Sequence, residues 1–198
     1  MLMLGISTSG REPSVGVSED DVLICLFKDT SGASYSETLM DLIESAVEKA
    51  GISLSDLGAI AVDVGPGSFT GVRIGVSCAN AMAAALGIPV IPVSSLAALR
   101  NLEDGDGAVA ALIDCRNGNC YAALYVDGEE SVAPCAAVTE EFVKKLPEGT
   151  RFTGDCLGRR DVPGAGLVLN EAFENGRPVK EAVPMYLRPS QAERMKNR

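Results

Sequence analysis

The stretch from Ala59 to Val93 narrows the possible folds more than any other part of the chain. Ala59 to Val64 is a continuous apolar run broken only by Asp63, which suits a buried strand. The turn Gly65-Pro66-Gly67 leads into a helix over about Phe69 to Leu86, ended by Gly87 and Pro89, and Val90 to Val93 is a short second strand. Upstream, three apolar runs (Met1 to Ser7, Ser14 to Val17, Val22 to Phe27) are separated by Gly10-Arg11-Glu12-Pro13 and Glu19-Asp20-Asp21, which predicts a β-meander. Leu39, Met40, Ile43, Val47 and Ala50 then recur on one helical face, with Asp41, Glu44 and Glu48 on the other. Ser34 and Glu37 have capping-box spacing at its start, and Gly51 is a suitable stop. A meander followed by strand, helix, strand and a further helix from Ser95 to Arg100 is an α/β layout with mixed pairing.

The polar stretch Glu103 to Gly107 marks a boundary between a subdomain over 1–105 and a smaller one over 106–198. Strands over Ala108 to Asp114 and Cys120 to Val126 flank Asn117-Gly118, a strong hairpin signal. From Glu129 onward the pattern weakens and no element is predicted.

Composition removes whole classes of chemistry. The chain has no histidine, so Ser-His-Asp and Cys-His catalysis, histidine metal ligands and histidine general bases are excluded. It has no tryptophan, and aromatics are 5 %, which argues against base-stacking platforms. The formal charge of −10 argues against gripping nucleic acid unaided. Six cysteines show no CxxC spacing and read as small apolar residues of a reduced protein. Gly5, Ser7 and Ser9 interrupt the N-terminal apolar run, so no signal peptide is visible. The longest apolar stretch, Val72 to Val93, contains Arg73, Asn80 and Pro89 and is not read as a membrane span; a soluble, cytoplasmic protein is expected.

The segment Val64 to Gly75 has two readings. Its backbone N–H groups, at a helix N-terminus, could cradle a phosphate, or its glycines could serve a turn with close packing. It is no Walker A loop, because Val72 and Arg73 follow Gly71. The helix after it has a mostly small surface (Gly71, Gly75, Ser77, Ala79, Ala81, Ala83, Ala84, Ala85) and is apolar nearly all round, which predicts a partner contact, with intramolecular packing as the rival. Ser7-Thr8-Ser9 reads as turn hydroxyls satisfying local backbone. Glu37, Asp41, Glu44 and Glu48 read as a solvated face. The basic end (Arg188, Arg194, Lys196, Arg198) reads as a mobile tail, with contact to RNA or a partner as the alternative.

Gly65-Pro66-Gly67-Ser68-Phe69-Thr70-Gly71-Val72-Arg73-Ile74-Gly75 resembles the signature of the TsaB (YeaZ) family. Tyr35-Ser36-Glu37, Ala111-Leu112-Ile113-Asp114, Tyr121 to Tyr125, Pro184 to Arg188 and Gln191-Ala192-Glu193 agree with it in order, so the resemblance spans nearly the whole chain. It implies an actin/sugar-kinase/Hsp70-like (ASKHA) fold of two subdomains with mixed sheets, the second reduced. It also implies a role in making threonylcarbamoyladenosine beside the tRNA anticodon. There a TsaC-type enzyme makes threonylcarbamoyl-AMP, and TsaD, a metal-containing paralogue, transfers the group. TsaB is a non-catalytic partner of TsaD, and the ATPase TsaE docks onto the pair. ATP and metal then belong to the partner subunits, with no cofactor on this chain, and tRNA is held mainly through the partner.

The two predicted helices correspond to those through which the family forms homodimers and binds TsaD. The expected interface residues are Tyr35, Glu37, Met40, Ile43 and Val47 on the first, and Val72, Val76, Ala79, Asn80 and Ala83 on the second. Ala79→Arg or Ala83→Glu is accordingly expected to abolish the complex and leave the fold intact. Two departures stand out: Ser7 occupies the place of the family's first-strand aspartate, and Tyr35 that of its usual histidine. The rival is an ATPase or small-molecule kinase of the same fold, holding phosphate on the Gly65 to Gly71 turn. A peptidase would need a nucleophile–base pair or a metal site, which a chain without histidine does not offer.

Overall fold

A computed structural model of the chain describes residues 1–32, 34–103 and 105–188. The meander forms as expected: β1 (Leu2–Ser7), β2 (Ser14–Glu19) and β3 (Val22–Lys28) pair antiparallel in sequence. Helix α1 (Tyr35–Ala50) then returns the chain to β4 (Ala59–Asp63), which lies parallel to β1, and α2 (Phe69–Leu86) returns it to β5 (Val90–Val93). The sheet order is β3-β2-β1-β4-β5. Right-handed crossovers that step along a sheet in one direction place their helices on one face, and α1 and α2 do share one.

That face is closed by Leu4, Ile6, Val15, Val17, Ile60 and Val62 of the sheet against Leu39, Ile43 and Ala46 of α1 and Val72, Val76, Ala79 and Ala83 of α2. Side chains alternate along a strand, so Met3, Ala59 and Ala61 point the other way and meet Val168, Leu169 and Ala172 of α5 (Ala165–Asn175). Gly5 and Gly16 face each other in register, and both lie under Leu169; a Cβ at Gly5 would overlap that side chain. The lobe is therefore three layers, and its third layer comes from the far end of the chain. The division expected at 105/106 separates the two sheets but not the two cores, because α5 belongs to the first.

The short helix α3 (Ser95–Arg100) joins the lobes: Ala98 packs under the first sheet, while Leu96 and Leu99 pack on Ala111, Ile113, Ala123 and Tyr125. Those residues lie on the second sheet, ordered β8-β7-β6-β9, from β6 (Ala108–Asp114), β7 (Asn119–Val126), β8 (Glu129–Val138) and β9 (Arg151–Gly154). Its other face carries Leu112, Leu124 and Phe152 beneath α4 (Thr139–Val143). An ASKHA-type α/β fold with a reduced second lobe results.

A C-terminal strap closes the molecule. Val179 bridges to Val90; the Asn80 side chain donates to the Ala182 carbonyl and accepts from its N–H, both at 2.9 Å; the Met185 N–H donates to the Val64 carbonyl. Arg188 reaches the Asn119 side chain on the second lobe. The rest of the basic end, with Gln191-Ala192-Glu193, lies outside the described residues.

Six of the expected interface positions are corrected by this packing. Ile43, Val72, Val76, Ala79 and Ala83 are at most 3 % exposed and fill the chain's own core, and Asn80 holds the strap. Apolar periodicity found the buried stripe of each helix, and the sheet already occupies it. Ala79→Arg should therefore unfold the protein, because it buries an unpaired charge, at a cost of at least about 4 kcal/mol. Urea unfolding is the check; a folded Ala79→Arg protein with unchanged stability would contradict the packing.

Candidate partner-binding site

A buried carboxylate organises the turn that opens α2. Asp63, fully buried at the end of β4, accepts hydrogen bonds from the Ser7 hydroxyl (2.9 Å), the Ser9 hydroxyl, the Ser95 hydroxyl (2.5 Å) and the Gly65 N–H (2.9 Å). The Gly65 carbonyl accepts in turn from the Ser95 N–H, and the Ser68 N–H donates to the Ser9 carbonyl. Burial pushes the carboxyl of Asp63 above its ordinary value, against the pull of hydrogen bonds from Ser9, Ser95, Gly65 and Ser7.

The serines of the first turn thus serve a distant carboxylate, not the local backbone expected of them; Thr8 donates to the Gly71 carbonyl at 2.7 Å. Asp63 itself was legible as a candidate: an acid inside an otherwise apolar strand is buried only when paired.

The glycine motif is explained by contact with this loop. Gly67, Gly71 and Gly75 follow one another at helical spacing, and a Cβ on them would overlap the Ser9 carbonyl, the Thr8 carbonyl and the Thr8 hydroxyl respectively. Gly65 adopts φ 94°, a left-handed conformation that glycine takes without strain. Of the two readings of Val64 to Gly75, close packing accounts for every glycine. Pro66 and Ser68 complete the turn, with the Ser68 hydroxyl capping the helix at the Gly71 N–H.

A cleft of about 570 Å³ lies between the lobes, lined by Arg11, Tyr35, Thr70, Asp114, Arg116 and Tyr121 among others. The Tyr35 hydroxyl donates to the Gly10 carbonyl at 2.6 Å, so this side chain pins the β1–β2 loop. Asp114 and Asp155 on the far wall accept from backbone N–H groups of Arg116 and Asp114. Among the described residues no three His, Cys, Asp or Glu side chains converge as metal ligands. None of the six cysteines is in a disulfide; burial raises the thiols of Cys78, Cys120, Cys135 and Cys156, the last to about 12.

The outward side of α1 and α2 is left uncovered. Glu37 is exposed and its carboxylate caps the Ser34 N–H; Met40 is 56 % exposed, and Val47 is half-buried. On α2 the outward residues are Thr70, Arg73, Ser77, Ala81, Ala84 and Ala85, flanked by half-buried Ile74, Cys78 and Met82. The Cys78 sulfur lies 4.0 Å from that of Met40 and 3.8 Å from that of Met82, a soft ridge across the two helices. At the start of α2 the Arg73 guanidinium lies 4.0 Å from the Phe69 ring centroid, and its Nε donates to the Tyr186 hydroxyl at 2.8 Å. α2 is long and apolar enough to cross a membrane by length and composition, with mean hydropathy 1.3, but a third of it is buried in the fold.

Two substitutions test the buried node. Asp63→Ala strands three hydroxyls and an N–H and should cost about 3–5 kcal/mol. Because folding raises the pKa of Asp63 above 3.8, the folded state binds more protons, so wild-type stability relative to Asp63→Asn should fall as pH rises from 3.8 through the folded value. Urea unfolding between acid and neutral pH measures both; a difference that is flat with pH would contradict the raised pKa.

Comparison with known proteins agrees with the resemblance. A family model described as "TsaD: tRNA N6-adenosine threonylcarbamoyltransferase" matches residues 30–152. The chain is 35 % identical to the Bacillus subtilis tRNA threonylcarbamoyladenosine biosynthesis protein TsaB, over 98 % of this chain and 96 % of that protein. A shorter match, 44 % identical over 35 % of this chain and 19 % of the other, joins it to the Ruegeria pomeroyi tRNA N6-adenosine threonylcarbamoyltransferase. The solved structure of YeaZ from Pseudomonas aeruginosa superposes with a TM-score of 0.72 at 27 % identity, covering 94 % of this chain and 99 % of that one. With the glycine turn, the two-helix face and these likenesses together, the chain belongs to the TsaB (YeaZ) family of tRNA threonylcarbamoyladenosine biosynthesis proteins.

Proposed function

We propose that the chain is a non-catalytic subunit that binds a TsaD-like catalytic subunit through the outward side of α1 and α2, with a TsaE-like ATPase docking onto the pair. The observation that carries this reading is the exposed small-residue face of α2 (Ser77, Ala81, Ala84, Ala85) beside exposed Met40, in a helix whose opposite face is already full. Small side chains let a partner's backbone approach closely, and thioethers adapt to its shape. A catalytic role for this chain finds little support: it has no histidine, and the acid nearest the glycine turn, Asp63, is sealed behind four donors. ATP, metal and tRNA are then held chiefly by the partners. A homodimer through the same face competes with the heterodimer, since one patch serves one occupant at a time.

Ala81→Arg places a long charged side chain on the outward face, where it meets solvent in the free chain. It should leave the thermal midpoint unchanged, abolish co-elution with the catalytic subunit, and stop tRNA threonylcarbamoylation in a reconstituted mix of the TsaC-, TsaD- and TsaE-type proteins. Unimpaired co-elution would refute the docking face. Modification that proceeds equally without this chain, or tight magnesium-dependent ATP binding by the chain alone, would favour the nucleotide-enzyme reading.

A further inference from the structure

Arg73 is the single charged residue of α2, and it stands on the outward face one turn before Ser77 and two before Ala81. Its guanidinium is held in place from two directions. Phe69, one turn earlier, lies beneath it at 4.0 Å from the ring centroid, and Tyr186 of the strap lies 5.6 Å away by the same measure, with its hydroxyl accepting from Nε at 2.8 Å. The two rings themselves stack at a centroid separation of 4.7 Å. Stacking and the Nε bond leave the two terminal nitrogens as a fixed fork. Among the described residues no carboxylate lies within ion-pair distance of it. A cation on a surface otherwise made of small uncharged side chains loses its hydration when that surface is covered, and an opposing anion compensates it best.

We propose that Arg73 is a preorganised anchor that receives an Asp or Glu carboxylate of the partner protein in a bidentate pair. The inference rests on the docking face proposed above. A protein carboxylate fits better than an RNA phosphate, because exposed Glu37, Asp41, Glu44 and Glu48 line the neighbouring α1 and the chain carries a charge of −10, both of which repel a polyanion. A single carboxylate is paired locally and is fixed by the fork's geometry. The Phe69–Tyr186 shelf lowers the ordering cost, since the guanidinium is already oriented before the partner arrives. In this way the strap, which touches α2 only along its flank, helps determine what α2 recognises.

The test measures the dissociation constant between this chain and its catalytic subunit for four variants with unchanged thermal midpoints. Arg73→Ala should weaken binding about tenfold to a hundredfold. Arg73→Lys should recover little of that, because an ammonium keeps the charge and loses both fork and stack. Tyr186→Phe should produce a smaller loss by releasing Nε, while Ala81→Arg reports on the docking face itself. Full binding by Arg73→Lys would overturn the bidentate anchor. If Arg73→Ala binds as wild type while Ala81→Arg does not, the anchor is wrong and the docking face stands; if neither matters, both fall. Wild-type subunit binding by Arg73→Ala with weakened tRNA retention by the assembled complex would give the fork to a phosphate and overturn the carboxylate.

Discussion

The carboxylate of Asp63 is the point on which the first lobe depends. It sits where the parallel strand β4 gives way to the α2 turn, and its donors come from the end of β1, from that turn and from the start of α3. A charge removed from water is costly, and inside a protein it is tolerated only when its acceptor positions are filled. Here three of the four donors, Ser7, Ser9 and Ser95, are distant in sequence, so the node fixes the relative positions of three connections that an apolar core alone would leave free to slide. The glycine ridge follows from it. Once Ser9 is drawn to Asp63, the β1–β2 loop lies directly on α2, and every residue of the helix that it crosses must lack a side chain.

The two faces of α2 show how one sequence stretch meets two demands. Inward, Val72, Val76, Ala79 and Ala83 decrease in size along the helix as they close the core over the sheet. Outward, alanine and serine keep the surface shallow, as the proposed docking of another chain requires. Both faces are weakly polar for opposite reasons, one because it is filled and the other because it is left open.

That double use explains what the sequence made legible and what it hid. The strands of the meander, β4, β5, α2 with both its ends, and the β6–β7 hairpin could all be read, because each is bounded by turn residues whose chemistry is local. The side of α2 left exposed could not: periodicity marks burial, and Val76 or Ala83 gives the same signal whether a sheet or a second protein buries it. Helix α5 lay in a stretch of weak pattern, and its place beneath the first sheet depends on Gly5 and Gly16, which are about 150 residues upstream. The role of Ser7, Ser9 and Ser95 was invisible for the same reason, since no local pattern links three serines to one aspartate.

The strap gives the chain a schedule as well as a shape. Asn80 finds its partners at Ala182, Val64 at Met185 and Arg73 at Tyr186, so the α2 surface waits on residues about 100 positions downstream. A chain emerging from the ribosome can build the meander and its two helices early, yet α5 and the strap arrive last and complete both the third layer and the finished face. A chain cut short before α5 would lack the third layer, and one cut before Tyr186 would leave the Arg73 guanidinium without its hydroxyl acceptor.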